Sequence, residues 1–149
     1  RQGEIVLLET NLDDVQGEVL GYAQEQLFSL GALDVWYTPV QMKKNRPGVI
    51  LSALVPQRLE DAAVQLILRE TPTLGVRTRP VERYVAQRES FDVETDLGII
   101  SVKVKSLEGE PVGVAPEYED CRRVSLETGV PYQEVYQRAL AEARRRFLN

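Results

Sequence analysis

The 149-residue sequence contains no histidine and only one cysteine, Cys121. Without an imidazole the chain cannot build a Ser-His-Asp triad, and metal sites made of nitrogen ligands are excluded within it. A single cysteine excludes an internal disulfide and fits a reducing compartment, so we expect a cytoplasmic protein. Any metal that this chain holds alone must be a hard ion that prefers oxygen ligands, such as Mg²⁺ or Mn²⁺.

Long apolar runs are also missing, since none approaches the ~20 residues needed to span a bilayer. We therefore expect no membrane association. The formal net charge of -5 argues against a general nucleic-acid-binding protein. The length predicts one compact domain over residues 1–149. Because the sequence begins at Arg1 and enters an apolar run almost at once, we expect this domain to come from a longer protein.

The apolar pattern predicts an α+β fold. Strands are expected at Glu4–Leu8, Leu33–Val40 and Val49–Val55, with Glu4–Leu8 buried on both faces. Two helices lie between and after these strands, and a further extended segment begins at Gly75. The resulting order, strand-helix-strand-strand-helix-strand, predicts a ferredoxin-like βαββαβ sandwich with both helices on one sheet face.

The remaining sequence predicts an extension of this sandwich. The extended segment is expected to continue through Val85 and Phe91–Thr95, turn at Asp96–Gly98 and return as a long β-hairpin. A hairpin of this length needs a partner, so we expect a homo-oligomer. A short strand at Pro111–Val114 and two C-terminal helices, from about Glu117 and from Pro131, complete the prediction.

A basic loop, Lys43-Lys44-Asn45-Arg46, separates two predicted strands, and Pro47 and Gly48 are expected to form its turn. One interpretation is a solubilising loop, because exposed lysines oppose edge-to-edge strand pairing. The other is a phosphate clamp, with point charges from the lysines and a forked guanidinium from the arginine.

Three other groups of residues have both a structural and a functional interpretation. Asp13 and Asp14 could cap the first helix or bind Mg²⁺. Arg77 lies on a predicted strand, where an exposed arginine needs no function. The acidic residues around Glu117 and Asp120 suit a helix start, and Cys121 is predicted to be a buried residue whose pKa the neighbouring carboxylates raise.

Five separated segments together resemble the C-terminal domain of the nickel-insertion proteins of the lactate racemase cofactor pathway. They are Leu8–Asp14, Gly31–Trp36, Thr38–Gly48, Thr73–Arg77 and Pro116–Cys121, and the resemblance covers nearly the whole chain. The family is a CTP-dependent cyclometallase, a lyase that uses CTP with Mg²⁺ or Mn²⁺. It inserts Ni²⁺ into a pyridinium mononucleotide carrying two thiocarboxylates. The family usually has methionine where this chain has Val15.

The resemblance strengthens the functional interpretation of each group. It implies a nucleotide-binding domain that works with a missing N-terminal domain. Lys43, Lys44, Asn45 and Arg46 become the leading triphosphate ligands, with Arg77 as a further one, and Asp13 and Asp14 become the leading metal ligands. Glu117 and Asp120 are candidates for a second metal contact or a ribose contact.

Two other functions fit the same predicted fold. One is a ligand-sensing or oligomerisation module without catalysis of its own. The other is binding of single-stranded RNA on the free sheet face, which needs stacking aromatic residues, and Tyr37 is the only clear candidate on a central strand.

Overall fold

The computed structural model describes residues 4–148 and shows an α+β protein with four helices. Its contacts group into two compact units, the first ending at Tyr84 and the second beginning at Val85. The sequence had led us to expect one compact domain. No helix within residues 4–148 is long and apolar enough to cross a membrane.

The first unit is a four-stranded antiparallel sheet with two helices. Its elements are β1 (Ile5–Asp13), α1 (Gly17–Leu30), β2 (Asp34–Met42), β3 (Arg46–Pro56), α2 (Glu60–Glu70) and β4 (Arg77–Val81). The strands lie in the order β2-β3-β1-β4, and each neighbouring pair is antiparallel. This order confirms the predicted ferredoxin-like βαββαβ sandwich.

The core of this unit lies between the two helices and one face of the sheet. Leu8 of β1, Leu27 of α1 and Ile67 of α2 are all fully buried in one hydrophobic cluster. On the other face of β1, Ile5 and Leu7 are only 4% and 8% exposed. The prediction that this strand is buried on both faces is therefore confirmed.

The predicted cap of α1 is wrong. The helix begins at Gly17 after Gln16, whereas Asp13 is the last residue of β1 and Asp14 has a left-handed φ of 45°. β1 extends this far because β3 offers a pairing partner up to Gly48, which lies opposite Asp13.

The predicted turn at Pro47 and Gly48 is also wrong, since both residues lie within β3. A short 3-10 turn at Lys43–Asn45 reverses the chain instead, with left-handed φ values of 59° at Lys44 and 61° at Asn45. Gly48 has a packing role, because a Cβ atom there would lie 2.7 Å from the Leu12 carbonyl oxygen.

The second unit is a three-stranded antiparallel sheet with two helices. Its elements are β5 (Gln87–Thr95), β6 (Gly98–Leu107), β7 (Glu110–Pro116), α3 (Tyr118–Thr128) and α4 (Tyr132–Phe147), and β6 is the central strand. Ile100, Val102 and Val104 of β6 are buried in its hydrophobic clusters, as their alternation with polar residues predicts.

The long hairpin is present only in part. The turn between Thr95 and Gly98 is confirmed, but the predicted continuous strand from Gly75 to Thr95 is wrong. β4 ends at Val81 because Val81 lies opposite Ile5, the first residue of β1, and the chain has no strand partner beyond that point. The segment from Gln87 then starts a separate sheet, in which β5 pairs with one edge of β6 and β7 pairs with the other.

Candidate functional site

A cleft opens at one end of the first sheet because β1 is longer than its neighbour β4. β1 pairs with β3 as far as Asp13, but its pairing with β4 stops at Glu9 opposite Arg77. The cleft has a volume of about 500 Å³, which is typical of small-molecule sites. Its walls are Thr10, Asn11, Leu12, Asp13, Pro72, Thr73, Leu74, Gly75 and Arg77.

Hydroxyl groups join β1 to the loop that forms the opposite wall. Thr10 is 2% exposed; its hydroxyl lies 2.6 Å from the Thr73 hydroxyl and donates to the Gly75 carbonyl oxygen at 2.8 Å. The sequence analysis missed both threonines as site residues. The available signal was a hydrogen-bonding residue at a core-facing position of an apolar strand, since a buried hydroxyl requires a partner.

Two arginines hold acceptors on the last residues of β1. The Arg77 Nη2 atom donates to the Asn11 Oδ1 atom at 2.7 Å, and the Arg46 Nη2 atom lies 2.7 Å from the Asp13 Oδ2 atom. The side chains of Arg46 and Asp13 are 50% and 33% exposed, so both can exchange this contact for a ligand. The sequence left open whether the end of β1 and the basic loop are adjacent, and the strand register places them together.

The other loop residues have different surroundings. Lys43 and Lys44 are exposed, do not line the cleft, and form no ion pair within the described residues. Asn45 accepts a hydrogen bond from the Gln41 amide at 2.6 Å, which helps to hold the turn. Arg77 and Asp13 therefore line the cleft, Arg46 reaches it through its ion pair with Asp13, and the two lysines lie on the adjacent turn.

The donor groups at the cleft are oxygen atoms. Within residues 4–148, no cluster of three or more carboxylate, histidine or cysteine side chains could hold a metal ion. Asp13 and the Asn11 amide suit Mg²⁺ or Mn²⁺ only if a ligand supplies further oxygens, as phosphates do in nucleotide sites. Asp14 is exposed on the chain that leaves β1. These residues fit a metal that arrives with a phosphate ligand.

Comparison with known proteins identifies the family. The family model described as nickel insertion protein matches residues 1–136. The chain belongs to the nickel insertion protein family. A relative from Acetivibrio thermocellus is 50% identical over 133 residues, which are 89% of this chain and 32% of that protein. Its name is pyridinium-3,5-bisthiocarboxylic acid mononucleotide nickel insertion protein.

Solved structures of similar proteins agree with this membership. One is LarC2, the C-terminal domain of a cyclometallase involved in the synthesis of the NPN cofactor of lactate racemase, in its apo form. It matches with a TM-score of 0.89 and 40% identity, over 94% of this chain and 96% of that one. A protein from Methanopyrus kandleri matches with a TM-score of 0.68 and 34% identity, over 89% of this chain and 82% of that one. The chain spans about a third of the length of the curated relatives that it matches.

The acidic cluster of this nickel insertion domain has structural partners inside the second unit. Glu117 lies 3.2 Å from the Lys103 ammonium group, and Asp120 accepts a 2.6 Å hydrogen bond from the Ser101 backbone N–H. Both contacts hold the start of α3 against β6. Cys121 is fully buried, and burial, together with Asp120, raises the pKa of its thiol. The prediction of a buried cysteine with a raised pKa is confirmed.

Tyr37 does not offer its ring for base stacking on the free sheet face. It packs against the core of the first unit, and its hydroxyl donates to the Leu20 carbonyl oxygen in α1. Burial raises the pKa of Tyr37 to about 12. β2 is moreover an edge strand of the sheet, so the RNA hypothesis loses the aromatic residue on which it rested.

Proposed function

We propose that this chain is the CTP-binding part of a nickel-inserting cyclometallase, a lyase of the cytoplasm. In the complete protein, Ni²⁺ is the substrate metal and pyridinium-3,5-bisthiocarboxylic acid mononucleotide is the acceptor, and CTP is used with Mg²⁺ or Mn²⁺. Membership of the nickel insertion family supports the reaction class. The cleft at the end of β1 supports the part assigned to this chain.

The observation that carries the proposal is the pair formed by Arg46 and Asp13 at the rim of the cleft. Guanidinium groups bind phosphate oxygens through two parallel hydrogen bonds, and Mg²⁺ takes one or two protein carboxylates and fills its shell with water and phosphate oxygens. A metal triphosphate therefore suits both members of the pair. In such a complex a phosphate would take the place of Asp13 as the partner of Arg46, and the Asp13 carboxylate would be available to hold the metal.

Arg77 and the lysine turn provide further positive charge around the same end of the sheet. The Arg77 guanidinium reaches across to Asn11 at 2.7 Å and has additional N–H groups for a phosphate. Lys43 and Lys44 lie exposed on the turn that contains Asn45 and directly precedes Arg46. Exposed lysines are flexible point charges that can close on a bound phosphate. A metal ion bound together with the nucleotide would neutralise part of the negative charge on its phosphates.

Capture of nickel is assigned to the rest of the protein or to the sulfur atoms of the acceptor. Ni²⁺ in a sulfur-containing site favours imidazole or thiolate ligands. The chain has no histidine, and its one thiol is fully buried with a raised pKa. We therefore assign nickel to a missing upstream domain that meets this chain at the acceptor.

Calorimetry of the purified chain with CTP, ATP, GTP and UTP, each with and without Mg²⁺ or Mn²⁺, tests this proposal. We expect CTP to bind more tightly than the other three nucleotides. We expect binding only in the presence of the metal ion, because the Asp13 carboxylate would otherwise face the phosphates without a cation between them. Absence of nucleotide binding under all these conditions would contradict the proposal and favour an assembly module without catalysis.

Homo-oligomerisation remains a prediction. It was based on a hairpin with unsatisfied strand edges, and β7 now satisfies one edge of that hairpin inside the second unit. An oligomer would have to use the outer edges of β5 or β7, or other surfaces. Sedimentation at micromolar concentration measures the assembly state, and a monomer there would contradict the prediction.

A further inference from the structure

The second unit has a separate pocket on the sheet face that is turned away from its helices. Lys103 and Lys105 of β6 alternate with the buried Val102 and Val104, so their side chains point to this outer face. Arg88 of β5 lies directly opposite Lys105. These three cations line a pocket of about 380 Å³, a size within the range of small-ligand sites.

The charges in this pocket are only partly compensated. Lys103 pairs with Glu117 at 3.2 Å, whereas Arg88 and Lys105 have no ion-pair partner within residues 4–148. Like charges directly opposite each other on neighbouring strands repel. Protection of a sheet edge does not account for Lys103 and Lys105, because β6 is the central strand. An anion between Arg88 and Lys105 would replace their repulsion by attraction.

Small residues leave room for such an anion. Gly113 and Ala115 of β7 lie opposite Lys105 and Lys103, and Val85 and Ala86 add an apolar wall. Glycine weakens a strand and often marks a place where a ligand approaches closely. The backbone at Gly113 has no left-handed φ, and an added Cβ would meet nothing nearer than the Lys105 Cβ atom at 3.9 Å. Within residues 4–148, neither the backbone conformation nor the packing around a Cβ atom therefore requires glycine here.

We propose that the pocket lined by Arg88, Lys105 and Gly113 binds the phosphate group of a mononucleotide. Arg88 and Lys105 supply the charge, and Val85 and Ala86 contact the less polar part of the ligand. The anion site follows from this sheet face alone. The choice of a pyridine mononucleotide as its ligand rests on the proposed function, because the acceptor of the nickel is such a molecule.

Gly113→Val is the decisive variant, because its Cβ atom has room, its two methyl groups add bulk to the pocket wall, and it places a strong strand former in β7. The probes are nicotinic acid mononucleotide, its nucleoside without phosphate, and inorganic phosphate, each titrated against the full chain by calorimetry. We expect the native chain to bind the mononucleotide, and to bind the nucleoside and the free phosphate at least tenfold more weakly. Gly113→Val should lower the mononucleotide affinity at least tenfold, whereas its Tm should be unchanged or higher. The double variant Arg88→Gln with Lys105→Gln should also lower the mononucleotide affinity. Arg122→Gln, at an exposed position on α3, is the control and should leave the mononucleotide affinity unchanged.

Several results would overturn the proposal. Equal mononucleotide affinity in the native chain and in Gly113→Val would exclude the pocket, and equal affinity for the nucleoside would exclude the phosphate as the recognised group. Equal affinity for inorganic phosphate would exclude the mononucleotide as the specific ligand. Loss of Mg²⁺–CTP binding in Gly113→Val would reassign the pocket to the triphosphate. Failure of the native chain to bind CTP at all would instead contradict the proposed function, and the measured binding of the mononucleotide at the pocket would still stand.

Discussion

Arg46 and Asp13 form the ion pair on which the proposed nucleotide site depends. Each is at least one-third exposed, and exposed ion pairs contribute little to stability, typically up to about 1 kcal/mol. The contact therefore has more value as a ligand site than as a structural link. The same holds for Lys44, which has a left-handed backbone but no ion-pair partner within the described residues.

We predict that Arg46→Gln weakens Mg²⁺–CTP binding about tenfold or more, because a charge-assisted hydrogen bond contributes roughly 1.5–3 kcal/mol. Lys44→Ala should weaken it in the same direction. The Tm should barely change in either variant. Calorimetry measures the dissociation constant, and Arg58→Gln, an exposed arginine near the opposite end of β3, is the matched control. An unchanged dissociation constant in Arg46→Gln and in the double variant Lys43→Ala with Lys44→Ala would exclude the phosphate clamp.

Cys121 gives a prediction about pH. Burial and then Asp120 raise the pKa of its thiol in the folded protein, so the fraction of reactive thiolate at a given pH is lower than for a free cysteine. We expect iodoacetamide to modify Cys121 slowly near neutral pH, and the rate to rise only above the pH range of an ordinary thiol. Mass spectrometry follows the reaction, with the urea-unfolded chain as the reference. Equal rates in the folded and unfolded chains would show that the thiol is accessible and unperturbed.

At the scale of elements, the cleft exists because β1 continues beyond β4 and because a loop is held beside its free edge. Thr10 supplies this link through its contacts with Thr73 and Gly75. The loop has few other anchors of this kind, since Leu74 is fully exposed. The Thr71 hydroxyl holds the preceding turn by donating to the Ile67 carbonyl oxygen at 2.7 Å.

We predict that Thr10→Val destabilises the protein by about 0.5–1.5 kcal/mol, because it keeps the shape of the side chain but removes the hydroxyl that donates to the Gly75 carbonyl oxygen and contacts the Thr73 hydroxyl. Nucleotide affinity should fall as well, since the loop that forms one wall loses its attachment. Urea denaturation measures the first effect and calorimetry the second. Thr38→Val on β2 is the control, because Thr38 is exposed and its substitution should be nearly neutral. Equal stability of the two variants would contradict the structural role of the Thr10 hydroxyl.

At the scale of the whole molecule, the distribution of metal ligands separates two kinds of chemistry. Oxygen donors such as Asp13 and Asn11 are available at the first-unit cleft, whereas the only sulfur donor besides Met42 is buried in the second unit. Hard divalent ions and phosphates suit the former set. A borderline ion such as Ni²⁺ finds no suitable exposed set within the described residues.

We predict that this chain alone binds metal–CTP but does not complete nickel insertion. The test incubates it with CTP, Mg²⁺ or Mn²⁺, Ni²⁺ and the thiocarboxylated mononucleotide, and then measures the activity of a lactate racemase supplied with the product. The full-length relative from Acetivibrio thermocellus, which is about three times as long as the matched region, is the positive control. Full activity from this chain would mean that the acceptor's own sulfur atoms suffice to capture nickel.

The sequence was sufficient for the order of elements in the first unit, because the periodicities of strand and helix are local properties of the chain. It also predicted the burial of Cys121 and the family to which the chain belongs. It was wrong at the boundaries that depend on pairing between strands. β1 runs to Asp13 because Gly48 lies opposite, and β4 stops at Val81 because β1 has no further residue to pair with it.

By itself, the sequence determined the ferredoxin-like topology, the presence of a basic turn between two strands, and the shortage of ligands for nickel. Only the tertiary structure decided which of the candidate residues meet. Thr10 and Thr73 are 63 positions apart and nevertheless share a hydrogen bond, and Arg46 reaches Asp13 through the register of β1 and β3. Register is a long-range property, because shifting a strand by one residue turns every side chain to the other face.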